Sequence, residues 1–226
     1  MRVAVITALA GLDTASLQDP KVNYRDPGRI DYYAFVDRPQ NVSIWHQLPL
    51  PDFSVIDNRY RDRRNAKLPK ILGSILIPGY DYYIWHDSYC ELQVRPEIII
   101  DEFVKDNHIG IFKHPVRSCT YEELDCLYER DYPETLDDFR NFLLQANFPT
   151  NQGLFELSSF IYKNTALMQQ FLLSWWEIIC KYSSRDQISF PYLLKKYQVP
   201  YAVLPGSGQS YAGNNKFFPQ VRNKFA

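Results

Sequence analysis

The four cysteines, Cys90, Cys119, Cys126 and Cys180, form no CxxC pair, and their scatter argues against a zinc site or a disulfide frame. The expectation is reduced thiols in a cytoplasmic protein. No apolar run reaches the roughly 20 residues of a membrane span. Met1-Arg2 leads straight into Val3-Ala4-Val5-Ile6, too short for a signal-peptide core. No transmembrane segment is therefore expected, although peripheral association with a membrane face stays open. Lys and Arg total 25 against 26 Asp and Glu, a formal charge of -1, so there is no basic footprint for nucleic acid. There is no glycine-rich phosphate loop, no GxSxG and no HExxH. Kinase, dehydrogenase, α/β-hydrolase and zincin chemistries lose ground accordingly. Residues 8–14 hold Gly11 but no Lys or Arg, which places a nucleotidyltransferase last.

What is present is an ordinary globular balance, 46% hydrophobic and 23% charged, in 226 residues. One domain over 1–226 is the simplest count. The stretch 205–226, rich in Gly, Asn and Ser, reads as a flexible tail or flap. Aromatics reach 15%, led by 17 Tyr. Core and sheet packing explains most of them better than sugar stacking.

Along the chain, β-prone runs alternate with helical periods. Arg2–Thr7 reads as a first strand, released by Ala8–Gly11, and residues 11–30 as a binding loop. Asp31–Asp37 and Ser43–Leu48 follow as strands. Leu68, Ile71, Leu72, Ile75 and Leu76 lie on one helical face, with Pro69 fitting the first turn. Tyr80–Trp85 is a strand that ends abruptly in His86 and Asp87. Glu97–Val104 is a short helix and Ile109–Phe112 a strand. Thr120 with Glu123 has the spacing of a capping box opening a helix over 121–128. Glu134–Ala146 is a helix and Phe155–Tyr162 a strand. Asn164 caps a long amphipathic helix to Tyr182, and a last helix spans 187–196. The pattern predicts an α/β fold: one domain, a mixed and mostly parallel sheet, helices on both faces.

Several residues stand where chemistry is possible. Asp87 at a strand end can bind a divalent metal or a sugar hydroxyl, or it caps the next turn; His86 is a neighbouring ligand or donor. Arg64, Lys67 and Lys70 put positive charge near a helix start, which suits a phosphate but also a solvated face. His114 and Arg117 on a sheet-edge loop suit phosphate or carboxylate, with a salt bridge to Glu122 or Glu123 as the rival. Glu156 is a carboxylate in an apolar run, expensive unless paired or solvated. Asp186-Gln187 can hold a sugar by paired hydrogen bonds or cap a helix, and the two roles are compatible.

Taken in order, VAVITALAG at 3–11, YYAFVD at 32–37, RNAKLPK at 64–70, YDYYIWHDS at 80–88, HPVRSCTYEE at 114–123, GLFELSSFIYK at 153–163 and RDQISFPYLL at 185–194 carry a family likeness. The chain resembles the glycosyltransferase-like family of the plant mucilage-related transferases and their bacterial relatives, within the GT-A nucleotide-diphospho-sugar transferases. The resemblance implies a nucleotide-diphospho-sugar donor, a glycan or glycoconjugate acceptor, and polysaccharide biosynthesis in the cytoplasm. It puts Thr7, Ala8 and Asp37 at the nucleoside and Arg64 and Lys67 at base or phosphates. Asp87 matches the first acid of a DxD-like motif, and Asp186-Gln187 the donor-sugar contact. Glu156 and His114 would line the sugar or acceptor side. Asp87, Asp186 and Glu156 are thus the catalytic candidates. The second acid of DxD is replaced by Tyr89, and no histidine follows residue 114. Mn2+ or Mg2+ at Asp87 therefore stands beside neutralisation of the diphosphate by Arg or Lys, and a non-catalytic sugar-nucleotide or glycan-binding domain with a decayed metal motif is the alternative reading.

Overall fold

The computed structural model describes residues 1–11, 16–52, 61–129, 136–206 and 217–219. Among them a seven-stranded sheet has the order β3-β2-β1-β4-β6-β5-β7. Strands β1 (Val3–Leu9), β2 (Ile30–Val36), β3 (His46–Pro49) and β4 (Tyr82–His86) pair in parallel. β6 (Phe155–Lys163) lies antiparallel between β4 and β5 (Ile109–Lys113), and β7 (Tyr201–Val203) adds a parallel edge to β5. Reversal of β6 matters for the site, because it brings the start of that strand to the edge where β1, β2 and β4 end. Asp87 N–H donates to the Ser158 carbonyl at 2.7 Å across that junction.

Period two along β1 sorts its side chains. Ala4, Ile6 and Ala8 join one apolar layer, and Val3, Val5 and Leu9 the other. The first layer is covered by α1 (Arg61–Leu76), α3 (Thr120–Glu129), α4 (Asp137–Gln145), α5 (Ala166–Lys181) and α6 (Asp186–Tyr197). The second is covered by α2 (Pro96–Ile99), the π-helical turn Ile100–Val104 that continues it, Leu17 and Trp45. Helices do lie on both faces, more heavily on one. Gly73 lets α1 approach the sheet closely, since a Cβ there would meet Ile6 Cδ1 at 2.6 Å. Among the described residues, no helix is long and apolar enough to cross a membrane.

Several local expectations are corrected. α1 already runs from Arg61, so Pro69 sits inside the helix instead of in its first turn. The helix bends at Leu72 (φ -100°, ψ 24°), one turn later. The Thr120–Glu123 capping box does not form, because Glu123 is committed to two arginines described below. Thr165, not Asn164, caps α5, accepting from Met168 N–H at 3.3 Å; Asn164 instead donates to the Tyr80 carbonyl. Within 205–226, Phe217 and Phe218 are buried, and Gln93 N–H donates to the Phe217 carbonyl. The tail expectation otherwise falls on 207–216 and 220–226, outside the described residues, as do parts of the 11–30 loop and the start of the Glu134–Ala146 helix.

Candidate active site

The helical period puts Arg63, Ala66, Lys67 and Lys70 on one stripe of α1, facing the carboxyl edge of β1 and β4. With Ala8, Ala10, Trp85, Asp87, Ser88 and Tyr89 they line a cleft of about 280 Å³. The small side chains at the end of β1 keep its floor shallow there. Gly11 continues that loop with φ +66°, and its N–H donates to Asp37 Oδ2 at 2.7 Å. A Cβ at Gly11 would run into the Asp62 carboxylate at the start of α1.

Asp186 enters from the first turn of α6. Its Oδ2 accepts from Lys67 Nζ at 2.5 Å and pairs with Lys70 Nζ at 2.6 Å. Lys70 Nζ also lies 3.8 Å from Asp87 Oδ1. Asp87 is held from its other sides: Trp85 Nε1 donates to Oδ1 and Tyr89 hydroxyl to Oδ2, both at 2.9 Å. Burial and the adjacent Asp87 charge push the Tyr89 phenol far up, so it remains a donor.

The charges in this cluster shift one another. Burial works against the Asp186 carboxylate, but the two ammonium groups outweigh it and hold its pKa well below the usual range. Lys70 is raised: burial opposes its charge, and Asp186 and Asp87 overcome that. Lys67 is lowered to about 8, chiefly by burial, with Lys70 adding to the fall and Asp186 offsetting part of it. The triad, with Lys70 and Asp186 buried and Lys67 partly exposed, is therefore a positive clamp closed on one carboxylate.

Beside it, Gln187 Nε2 donates to Glu156 Oε2 at 3.1 Å, and both residues are buried. Asp87, Lys67, Asp186, Gln187 and Glu156, distant in sequence, thus come together at one sheet edge. Ala8 lines the cleft, and Asp37 secures its loop.

Other expected site residues lie elsewhere. Thr7 is fully buried and, by alternation, shares the face of Val3, Val5 and Leu9, away from α1. His86 also points to that far face, 5.7 Å from the Trp45 ring centroid, with Nδ1 3.1 Å from the Asp87 carbonyl. Arg64 is buried one helical step off the cleft, where its charge opposes the burial-driven rise of the Cys180 thiol on α5. Arg63 takes the place at the cleft, a substitution the helical period signals. Lys70 shares Lys67's face at three-residue spacing and completes the clamp. His114 and Arg117 lie on a separate cleft. There Arg117 Nε pairs with Glu123 Oε2 at 2.5 Å, and Arg185 Nη2 reaches Glu123 Oε1 at 2.7 Å. Nothing local in the sequence pairs Arg185 with Glu123.

A divalent metal does not fit this donor set. Asp186 is enclosed by two ammonium groups, Lys70 also lies 3.8 Å from Asp87, and a further cation would meet Lys67 and Lys70 at close range. Among the described residues, no group of three or more His, Cys, Asp or Glu is arranged to hold a metal.

A cleft at the carboxyl edge of an α/β sheet, where the strand order reverses, is where such folds seat ligands, and a basic clamp there suits a phosphate. The bifunctional glycosyltransferase WbbM, in its apo structure, superposes with a TM-score of 0.54 at 10% identity, covering 90% of this chain and 39% of that one. Mouse xyloside xylosyltransferase 1 superposes at 0.46, also at 10% identity, covering 90% and 84%. Residues 31–204 match the family described as TOD1/MUCI70, glycosyltransferase-like domain, and the chain belongs to it. The Arabidopsis thaliana protein named "Probable hexosyltransferase MUCI70" is 27% identical over 178 residues, 69% of this chain. The chain spans 28% of that relative's length.

Proposed function

We propose that this glycosyltransferase-like domain moves a hexosyl unit from a nucleoside-diphosphate donor to a glycan or glycoconjugate acceptor, in polysaccharide synthesis on the cytoplasmic side. The observation that carries the reading is the convergence of Lys67 and Lys70 on Asp186 beside Asp87, in a cleft at the strand ends. Four free cysteines support a reducing compartment.

In the reaction the bond from the anomeric carbon to the donor phosphate breaks, and its electron pair goes to the phosphate oxygen. Lys67, Lys70 and Arg63 meet that growing negative charge, where fixed cations stabilise a transition state without reorganisation. A low carboxyl pKa makes Asp186 a weak base, so its part is to hold the lysines in place. Glu156, oriented by Gln187, takes the proton of the acceptor hydroxyl as its oxygen bonds to the anomeric carbon.

The second reading, a non-catalytic sugar-nucleotide or glycan-binding domain, is favoured by Tyr89, which closes one Asp87 oxygen. A panel of nucleotide-sugars separates the two, with nucleoside-diphosphate release followed in manganese and in chelator. Release that disappears in Asp87→Ala and Asp186→Ala supports transfer. Binding without turnover for every acceptor tried supports the module.

A further inference from the structure

The second cleft, about 450 Å³, opens between the loop after β5, the start of β6 and the edge strand β7. It shares no lining residue with the first. That volume is within the range of clefts that hold small ligands. Its lining includes the cations Lys113 and Arg117 and no carboxylate. Glu123 beneath it, 1% exposed, is shared by Arg117 and Arg185, one negative charge against two positive. At the rim Lys195 Nζ donates to Gln152 Oε1 at 3.1 Å and Glu122 Oε2 accepts from Ser118 N–H at 3.3 Å, so these two charges offset and Lys113 with the Arg117–Glu123–Arg185 group leaves the balance positive. The local field therefore favours an anion.

Apolar surface is present as well. Tyr201 and Val203, alternate residues of β7, are each 42% exposed and line the cleft together. Tyr201 meets Phe155 edge-on, ring centroids 5.4 Å apart at 76°. Ring faces of this kind pack against the C–H faces of sugars, while hydroxyls need neutral donors and acceptors. His114 supplies one. Its Nδ1 accepts the N–H groups of Val116 and Arg117, at 3.3 and 2.9 Å, which leaves the proton on Nε2. Burial, with the nearby arginines, lowers its pKa to about 4, against the pull of Glu123, so the ring is neutral at pH 7.

The two clefts are joined along the chain. Phe155 lines the second, its neighbour Glu156 bonds Gln187, and Gln187 follows Asp186 of the clamp. On the other side Arg185 directly precedes Asp186 and ends the Arg117–Glu123 pairing.

The geometry points to the His114–Tyr201 cleft as the acceptor subsite, built for an anionic glycan whose sugar rings carry carboxylates. This rests on the sugar-transfer reading above and adds the acceptor's chemical class. An acceptor chain seated there has its reactive end directed along β6 to Glu156, and its carboxylates meet Lys113 and Arg117.

Calorimetric titration tests it with a uronic-acid tetrasaccharide and its carboxyl-reduced, neutral counterpart, against wild type, Lys113→Glu and Tyr201→Ala. Both substituted residues have exposed side chains, and thermal melts verify folding. The uronate binds wild type, weakens about tenfold in each variant and weakens further with salt, while the neutral oligosaccharide binds at least about tenfold more weakly. Equal binding of the two oligosaccharides, binding of neither, or binding untouched by both substitutions overturns the proposal. A nucleoside diphosphate titrated into the same proteins reads the first cleft alone. If it binds normally while the uronate result fails, the acceptor assignment falls and sugar transfer stands; if it fails to bind, sugar transfer itself falls.

Discussion

Lys70 Nζ lies 2.6 Å from Asp186 Oδ2 and is buried with it, joining the middle of α1 to the first turn of α6. The same ammonium is 3.8 Å from Asp87 at the end of β4. One side chain thus ties the strand-end acid to the acid of the last helix, and the cleft between them is set by that tie. In the absence of donor, Asp186 occupies the lysines in the way a phosphate oxygen would. Donor phosphate then takes the remaining N–H positions of ammonium groups that Asp186 keeps in place.

Asp186→Asn leaves the buried Lys70 and the partly exposed Lys67 facing an amide. Stability should fall by about 3 kcal/mol, the scale of breaking a buried ion pair from one side. Nucleoside-diphosphate affinity should fall by about tenfold, because the lysines lose the carboxylate that holds them. Melting temperature and a binding titration on one preparation check both halves; unchanged diphosphate affinity in a folded variant contradicts that holding role.

Lys67 titrates near neutrality because burial lowers its pKa to about 8. Between pH 7 and 9 it loses its proton, so diphosphate affinity should decline across that window by about tenfold, one charge-assisted contact. Lys67→Arg keeps its charge throughout and should flatten the profile. A decline of equal size in both proteins would assign the pH effect to another group.

His114 makes stability depend on acid. Its folded pKa, about 4, lies below the ordinary imidazole value of about 6.5. The unfolded chain therefore takes up the proton first as pH falls, and stability is lost between about 6.5 and 4, by up to about 3 kcal/mol. His114→Gln has no such proton to take up, so its melting temperature should drop less than that of wild type between pH 7 and 4.5.

Asp87 has two lysines close by in place of a metal, so chelation of divalent metal should leave turnover within about twofold. Lys70→Met should reduce it about a hundredfold, the scale of removing one preorganised electrostatic group. Rates with and without chelator, in both proteins, give the comparison.

Much of this was legible in the residues. The β-branched and aromatic runs of β1, β2 and β4 have no rival as buried strands, and Asp87 at the end of one points to an edge site. The meeting of Asp87 with Asp186-Gln187 follows from placing both at strand and helix ends. What escaped depends on which face of the sheet α1 covers. Thr7 and His86 sit correctly along their strands but point to the far layer, and only tertiary packing chooses between faces. Arg64 and Arg63 differ by one residue, about 100° around the helix, and the packing of Leu68, Ile71 and Leu72 on the sheet fixes which faces the cleft. The antiparallel setting of β6 has no sequence signal, yet it carries Glu156 to the site. The Thr120 cap failed because Glu123 found stronger partners in Arg117 and Arg185, one of them 62 residues away.

The most direct measurement is a titration of nucleoside diphosphates into the wild-type chain and Lys67→Ala, in the presence of chelator. The account predicts metal-independent binding that weakens about tenfold or more without the lysine. Binding that requires manganese, or that is indifferent to Lys67, contradicts it.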